Sequence, residues 1–222
     1  MTAAWSRPAA LLLDLDGTLV LSEQAHRLTW QRFFDTWGVE VDEREYQRSF
    51  MGRRAEDVLA VVPGPWTGHD LAAIAAKMTA HAETLGHVVA PVPGAADLIR
   101  RATDAGVPVA VVTSAGTGWA EDVLGRLLDV RDRVRVLVTA EDVTTGKPSP
   151  EGYLRGCELL GVPPAECAGV EDSSSGIRAL LSAGVEHVVG ITTTTPAEDL
   201  LAAGAGCTVA DLRDDAVIGL MS

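Results

Sequence analysis

The sequence predicts an α/β protein: a parallel sheet covered by helices on both faces, with a small all-helical domain inserted after its first strand. Three observations lead there. Apolar runs bounded by turn residues recur along the chain without polar alternation, the pattern of strands buried on both faces. Helical patterns fall between several of these runs, and strand–helix alternation favours parallel pairing with right-handed crossovers. A stretch of about 70 residues after the first run shows helical periodicity and no convincing strand. The expected core is therefore Rossmann-like, interrupted by one helical insertion.

The elements follow in order. Residues 9–13 form the first apolar run, which stops at Asp14-Leu15-Asp16-Gly17. Residues 24–37 read as a helix stopped by Gly38, and 43–50, 54–61 and 71–85 read as helices too. Pro91-Val92-Pro93-Gly94 punctuates the return to the core. A helix over 95–105 ends at Gly106, and a strand over 107–112 follows. Then come a helix at 119–128, a strand at 134–138 and a helix at 151–160 ended by Gly161. The next strand, 167–170, leads into Ser173 or Ser174, either able to cap a helix. A strand at 185–191 and a weaker one at 207–209 complete the set, and residues 192–195 (TTTT) read as a short polar loop and nothing more. The domain boundaries expected are 1–20 with 91–222 for the core and 21–90 for the helical domain.

Composition narrows the function classes. With 47% hydrophobic and 22% charged residues, the 222-residue chain can bury a real core. Its net charge of −13, from 18 basic and 31 acidic residues, repels a phosphate backbone, and no basic run overturns that. Nucleic acid is not an expected partner. Cys157, Cys167 and Cys207 make neither a Cys-x-x-Cys pair nor a metal-finger spacing, and read as reduced, buried thiols. No apolar run approaches the roughly 18 residues a membrane span requires. The N-terminal apolar stretch is too short for a secretory signal. The expectation is a cytoplasmic protein with no membrane partner.

In open α/β sheets, ligands gather beyond the carboxyl ends of the strands. Four segments at such places carry chemistry: Asp14-Leu15-Asp16-Gly17-Thr18, Thr113-Ser114-Ala115-Gly116, Gly146-Lys147-Pro148-Ser149-Pro150, and Glu171-Asp172-Ser173-Ser174-Ser175-Gly176. Carboxylates from two strand ends can share a hard cation, and oxygen ligands suit Mg²⁺. A carboxylate beside such an ion is a competent nucleophile toward phosphorus, because the metal offsets the repulsion between two anions. A second carboxyl can protonate the leaving oxygen and then activate water. Alternation along a strand aims Asp14 and Asp16 to one side. Lys147 supplies a compact positive charge for phosphate oxygens or for Asp14. Thr113 and Ser114, with backbone amides of that turn, can donate hydrogen bonds to the same phosphate.

DLDGTLV, VVTSAG, GKPSPEGYL and GVEDSSSGI resemble, in order, the four motifs of haloacid-dehalogenase-like phosphohydrolases. The resemblance covers nearly the whole chain, including a helical cap of the C1 kind inserted after the first motif. Within that group, HRLTWQRFF, TSAG and the pair Glu171-Asp172 look like sugar-phosphate phosphatases and β-phosphoglucomutases. The resemblance implies that Asp14 is the nucleophile, forming an aspartyl-phosphate. It makes Asp16 the general acid/base and a Mg²⁺ ligand through its backbone carbonyl. Thr113 would bind the transferring phosphoryl group, with Ser114 and Ala115 beside it, and Lys147 would hold phosphate and nucleophile together. Asp172 would ligate Mg²⁺, with Glu171 a direct or water-bridged partner. Asp16 argues against a dehalogenase, whose motif lacks that second aspartate. The implied partner is a small phosphorylated metabolite, and the implied assembly a monomer whose cap closes over the substrate.

Blander readings stand beside these. Two aspartates after an apolar run suit a solvated turn, and Lys147 alone suits the surface. His26 and Trp30, four apart on one helix, suit a pocket wall; for Trp30 core packing is the better reading. Arg53 and Arg54 suit a substrate oxygen or phosphate as well as plain exposure. Gly116-x-Gly118 lacks the third glycine of a dinucleotide fingerprint, since Glu121 stands there. The expected activity is hydrolysis of a small sugar or polyol phosphate. A β-phosphoglucomutase-type mutase is the near alternative, and a non-catalytic phosphometabolite-binding module the distant one. A phosphonatase-like reading would need a cap lysine, and nothing around Lys77 suggests it.

Overall fold

The computed structural model describes residues 7–50, 55–85 and 88–219. The chain divides into two compact units, 1–21 with 90–222 and 22–89. In the larger unit, six parallel strands form one sheet: β1 (Ala10–Leu13), β4 (Val109–Val112), β5 (Val136–Val138), β6 (Cys167–Glu171), β7 (His187–Ile191) and β8 (Cys207–Val209). Their spatial order is β5-β4-β1-β6-β7-β8. The α/β class and the parallel sheet agree with the reading of the sequence. β1 lies between β4 and β6, and the chain winds outward from it first to one side and then to the other. That reversal is the switch point beyond which α/β sheets bind ligands.

Residues in β1 and β4 are buried along their whole length, so their apolar runs answer to helices on both faces. Helix α5 (Ala95–Asp104) buries Ala95, Leu98, Ile99 and Ala102, the i, i+3, i+4, i+7 stripe of an amphipathic helix. Helix α7 (Glu151–Leu160) approaches closely: a Cβ on Gly152 would stand 3.0 Å from Val112 Cγ1, and one on Gly156 3.3 Å from Val112 Cγ2. The remaining helices of this unit are α6 (Thr117–Asp122), α8 (Ser174–Ser182), α9 (Ala197–Ala202) and α10 (Asp215–Ile218).

Three differences from the sequence expectation have physical reasons. First, the strands expected at 107 and 185 begin two residues later. Val107, Val162 and Val185 each follow a glycine of positive φ and donate their N–H back to Ala102, Cys157 and Leu180. These valines therefore close helix ends in the Schellman manner before any sheet pairing begins. Second, the helix expected at 119–128 runs from Thr117 and changes at Val123–Leu127 into a π-helical turn. Third, Val20–Leu21 (β2) pairs antiparallel with Ala90–Pro91 (β3) where the insertion leaves and rejoins the core. Two-residue strands carry no periodic signal, and Pro91 read only as punctuation. Helices α9 and α10 were also not expected.

The smaller unit is helical: α1 (Glu23–Trp37), α2 (Glu43–Ser49), α3 (Ala55–Val61) and α4 (Leu71–Thr84). Its core is aromatic. Trp30 packs edge-on to Phe33 and Phe50 and stacks on Phe34, with Trp66 against Phe33. Trp30 is buried among them, so packing is its role.

Leu12 is fully buried at the centre of β1 under α7. Leu12→Ala is expected to lower unfolding stability by about 2–5 kcal/mol, from lost transfer energy and the cavity left behind. Urea denaturation measures this, and a loss below about 1 kcal/mol would mean that the sheet centre collapses freely around the gap.

Candidate active site

Register decides which side chains share the sheet edge. Leu13 sits level with Val111 on β4 and with Val170 on β6. Asp14, Thr113 and Glu171-Asp172 consequently emerge together at the carboxyl ends of three adjacent strands. Beyond Leu13 the chain folds back at once: Leu19 and Val20 donate to the Leu15 carbonyl, and Gly17 N–H donates to Val20 O at 2.7 Å. Gly17 has φ +86, and a Cβ there would lie 2.0 Å from Asp172 Oδ2. Only glycine allows the loop after β1 to lie against the carboxylate after β6.

Lys147 ties the segments together. Its Nζ donates to Asp14 Oδ1 at 2.5 Å, to Glu171 Oε1 at 2.6 Å and to the Val112 carbonyl at 3.3 Å. The loop that carries it is braced by Glu151, which accepts from the Thr144 and Thr145 amides. Glu171 is fully buried and its oxygens are well occupied. Oε1 also accepts from Tyr153 OH at 2.9 Å, and Oε2 accepts from Ser173 N and Ser173 Oγ at 3.0 and 2.9 Å. Its carboxyl lies against the first turn of α8, where a Cβ on Gly176 would come within 1.8 Å of it. Ser173, rather than Ser174, caps that helix, accepting from Gly176 N.

Asp16 is half-buried and accepts from Trp119 Nε1 at 3.0 Å; Thr113 Oγ1 approaches its other oxygen at 3.4 Å. Thr113 Oγ1 in turn accepts from Ala115 N at 3.0 Å, and Ser114 and Ala115 are half-buried in the same turn. The loop at 192–195 is more than a polar connection, which corrects the sequence reading. Thr193 Oγ1 donates to the Gly17 carbonyl, and Thr194 Oγ1 donates to the carboxylate and carbonyl of Asp172. The loop follows the carboxyl end of β7, beside β6, so the strand-end rule could have flagged it. Tyr153 and Trp119 gave no such signal, being single aromatics inside helical patterns. His26 lies half-buried on α1 in the helical unit, and Arg53 and Arg54 lie outside the described residues.

The electrostatics follow from crowding. Burial pushes Asp14 up to about 7, with Glu171 and Asp16 adding to the shift and Lys147 opposing it. Burial likewise raises Asp172 well above the ordinary carboxylate range, helped by Glu171 and Asp14. Glu171 is held low despite its burial, because Lys147 faces it; Lys147 is held high despite its burial, by Asp14 and Glu171. One ammonium thus faces three buried carboxylates.

This donor set fits a hard cation. Asp14, Glu171 and Asp172 each offer an oxygen within 4.8 Å of the others. Asp14 Oδ2 and Thr18 Oγ1 are the buried side-chain atoms among the described residues with no hydrogen-bond partner. An orphaned carboxylate oxygen beside a second carboxylate can serve as a ligand for a hard divalent cation.

A model of the haloacid dehalogenase-like hydrolase family matches residues 8–184. The chain belongs to that family. It is 40% identical over 190 residues to validoxylamine A 7'-phosphate phosphatase of Streptomyces hygroscopicus subsp. limoneus, covering 85% of this chain and 88% of that one. It is 32% identical over 191 residues to hexitol phosphatase A of Escherichia coli (strain K12), covering 83% of each. Its fold superposes on a crystal structure of a CbbY mutant from Rhodobacter sphaeroides in complex with xylulose-(1,5)bisphosphate. That match has a TM-score of 0.82 at 28% identity and covers 96% of this chain and 99% of that one. None of the described helices is long and apolar enough to cross a membrane.

The raised Asp14 carboxyl has a stability consequence. Because its folded value lies above its unfolded one, its contribution is complete below about pH 4 and is lost as pH rises to about 7. In EDTA, Asp14→Asn is therefore expected to raise the Tm above wild type at pH 8 and to narrow that gap at pH 4. Equal melting temperatures at both pH values would show that Asp14 carries no burial penalty.

Proposed function

We propose that this phosphoric monoester hydrolase is a Mg²⁺-dependent phosphatase of a small sugar or polyol phosphate that works through an aspartyl-phosphate on Asp14. The observation that carries the reading is the buried Asp14 carboxylate, one oxygen fixed by Lys147 and the other unpartnered among further carboxylates. Such a group is aimed and desolvated, as a nucleophile must be. The relatives named for phosphatase activity on a 7'-phosphate and on hexitol phosphates support the substrate class.

In this reading Asp14 attacks phosphorus while the bond to the leaving oxygen breaks, and Asp16 gives its proton to the departing alcohol. Asp16, now a carboxylate, removes a proton from water, which attacks the acyl-phosphate; inorganic phosphate leaves and Asp14 is restored. Thr113, with the turn holding Ser114 and Ala115, binds the phosphoryl oxygens, and Lys147 orients Asp14 and favours its ionised form against burial. Asp14, Asp172 and the Asp16 carbonyl would hold the Mg²⁺, which would supply positive charge to offset the repulsion between nucleophile and phosphate. Glu171, its oxygens bonded to Lys147, Tyr153 and Ser173, holds the lysine and would meet a bound metal directly or through water. Residues 21–90 are the C1 cap of this enzyme, with His26 and Arg53 as its candidate substrate contacts, and the protein works in the cytoplasm as a monomer.

Phosphate release from p-nitrophenyl phosphate and from a panel of hexitol, ketose and cyclitol phosphates tests the reading. EDTA is expected to abolish turnover and Mg²⁺ to restore it. Asp14→Asn is expected to lose about 10³-fold or more in kcat while remaining folded. EDTA-insensitive turnover, or turnover by Asp14→Asn near wild type, would remove the mechanism. Conversion of β-glucose 1-phosphate to glucose 6-phosphate in place of phosphate release would make the protein a mutase.

A further inference from the structure

We propose that Trp119 is a positioning residue for the reaction: its indole N–H holds the Asp16 carboxyl in the orientation from which it serves the leaving oxygen. The inference rests on the reading of Asp16 as general acid/base. Trp119 Nε1 lies 3.0 Å from Asp16 Oδ1, a contact across 103 residues of sequence. An indole nitrogen donates one hydrogen bond and accepts none, so the oxygen it faces must be an acceptor. Thr113 Oγ1 donates to the other oxygen, Oδ2, at 3.4 Å, a longer contact than that of the indole.

Trp119 is itself anchored. It sits two residues into α6, whose first residue is fixed at three points. Thr117 N–H donates to Glu141 Oε2 at 3.1 Å, Thr117 Oγ1 donates to the same oxygen at 3.0 Å, and Thr117 Oγ1 lies 2.8 Å from Thr139 Oγ1. Thr139 and Glu141 follow β5 directly, so the indole is referenced to the sheet through a neighbouring strand end. Asp16, by contrast, sits on a loop beyond its strand and needs an outside partner to fix its torsion. A carboxyl free to turn would present its proton to the leaving oxygen only part of the time, and misplacement of this kind lowers the rate without altering binding.

The test uses Trp119→Phe, which keeps an aromatic ring and removes the N–H, with Trp119→Met as a second variant should the first fail to fold. Substrates are p-nitrophenyl phosphate, whose leaving group departs without protonation, and the most rapidly hydrolysed sugar or polyol phosphate of the panel above. Asp16→Asn serves as control. On the sugar phosphate, the Trp119 variants are expected to lose about 10-fold in kcat and kcat/KM with KM little changed, a fraction of the 10²–10⁴-fold that acid–base catalysis supplies. On p-nitrophenyl phosphate, kcat/KM is expected to fall less than about 3-fold, since the step it reports needs no proton. Equal losses on both substrates, a loss confined to KM, or no loss, while Asp16→Asn discriminates between them, would overturn the role of Trp119. An Asp16→Asn variant that loses nothing, or loses equally on both substrates, would overturn the underlying reading of Asp16.

Discussion

A single ammonium shared between two buried carboxylates holds the site together. Lys147 meets Asp14 and Glu171 at ion-pair distance where almost no water reaches. Removing the ammonium would leave two buried carboxylates uncompensated, whereas removing Asp14 leaves Lys147 paired with Glu171, so the set depends on the lysine. The neighbours serve that set. Tyr153 and Ser173 satisfy Glu171, and Gly176 makes room for it at the start of α8. Burial, added to by the neighbouring carboxylates, raises Asp14 and Asp172, and Asp14 Oδ2 is left without a hydrogen-bond partner. A site with three carboxylates against one cation is built to receive positive charge.

The sheet order explains why these groups meet. β1 is flanked by β4 and β6, so loops from three consecutive spatial positions open onto one edge. β5 sends in the loop that carries Lys147, and β7 adds a fifth loop, whose threonines tie Gly17 to Asp172. Specificity of geometry thus comes from strand ends, which the core fixes.

Much of this was readable in the sequence for definite reasons. Unbroken apolar runs, helical periodicity and glycine stops revealed the parallel α/β core, because burial on both faces leaves a compositional trace. Asp14, Glu171 and Asp172, which the structure brings together, stood out as charges at the ends of apolar runs, and Lys147 through its Gly-Lys-Pro setting and its order among the four segments. Trp119, Tyr153, Thr193 and Thr194 did not, because their importance lies in what they touch across long stretches of chain. β2 and β3 were too short to carry a pattern, and the valines after Gly106 and Gly184 looked like strand although they finish helices.

The contact between Asp14 and Lys147 joins residues 133 positions apart. Bringing such distant points together carries a large chain-closure entropy that local helices cannot offset, so this contact belongs among the slow, non-local events of folding. The site therefore assembles only once the central strands have docked, and a nascent or clipped chain keeps its parts separate until then.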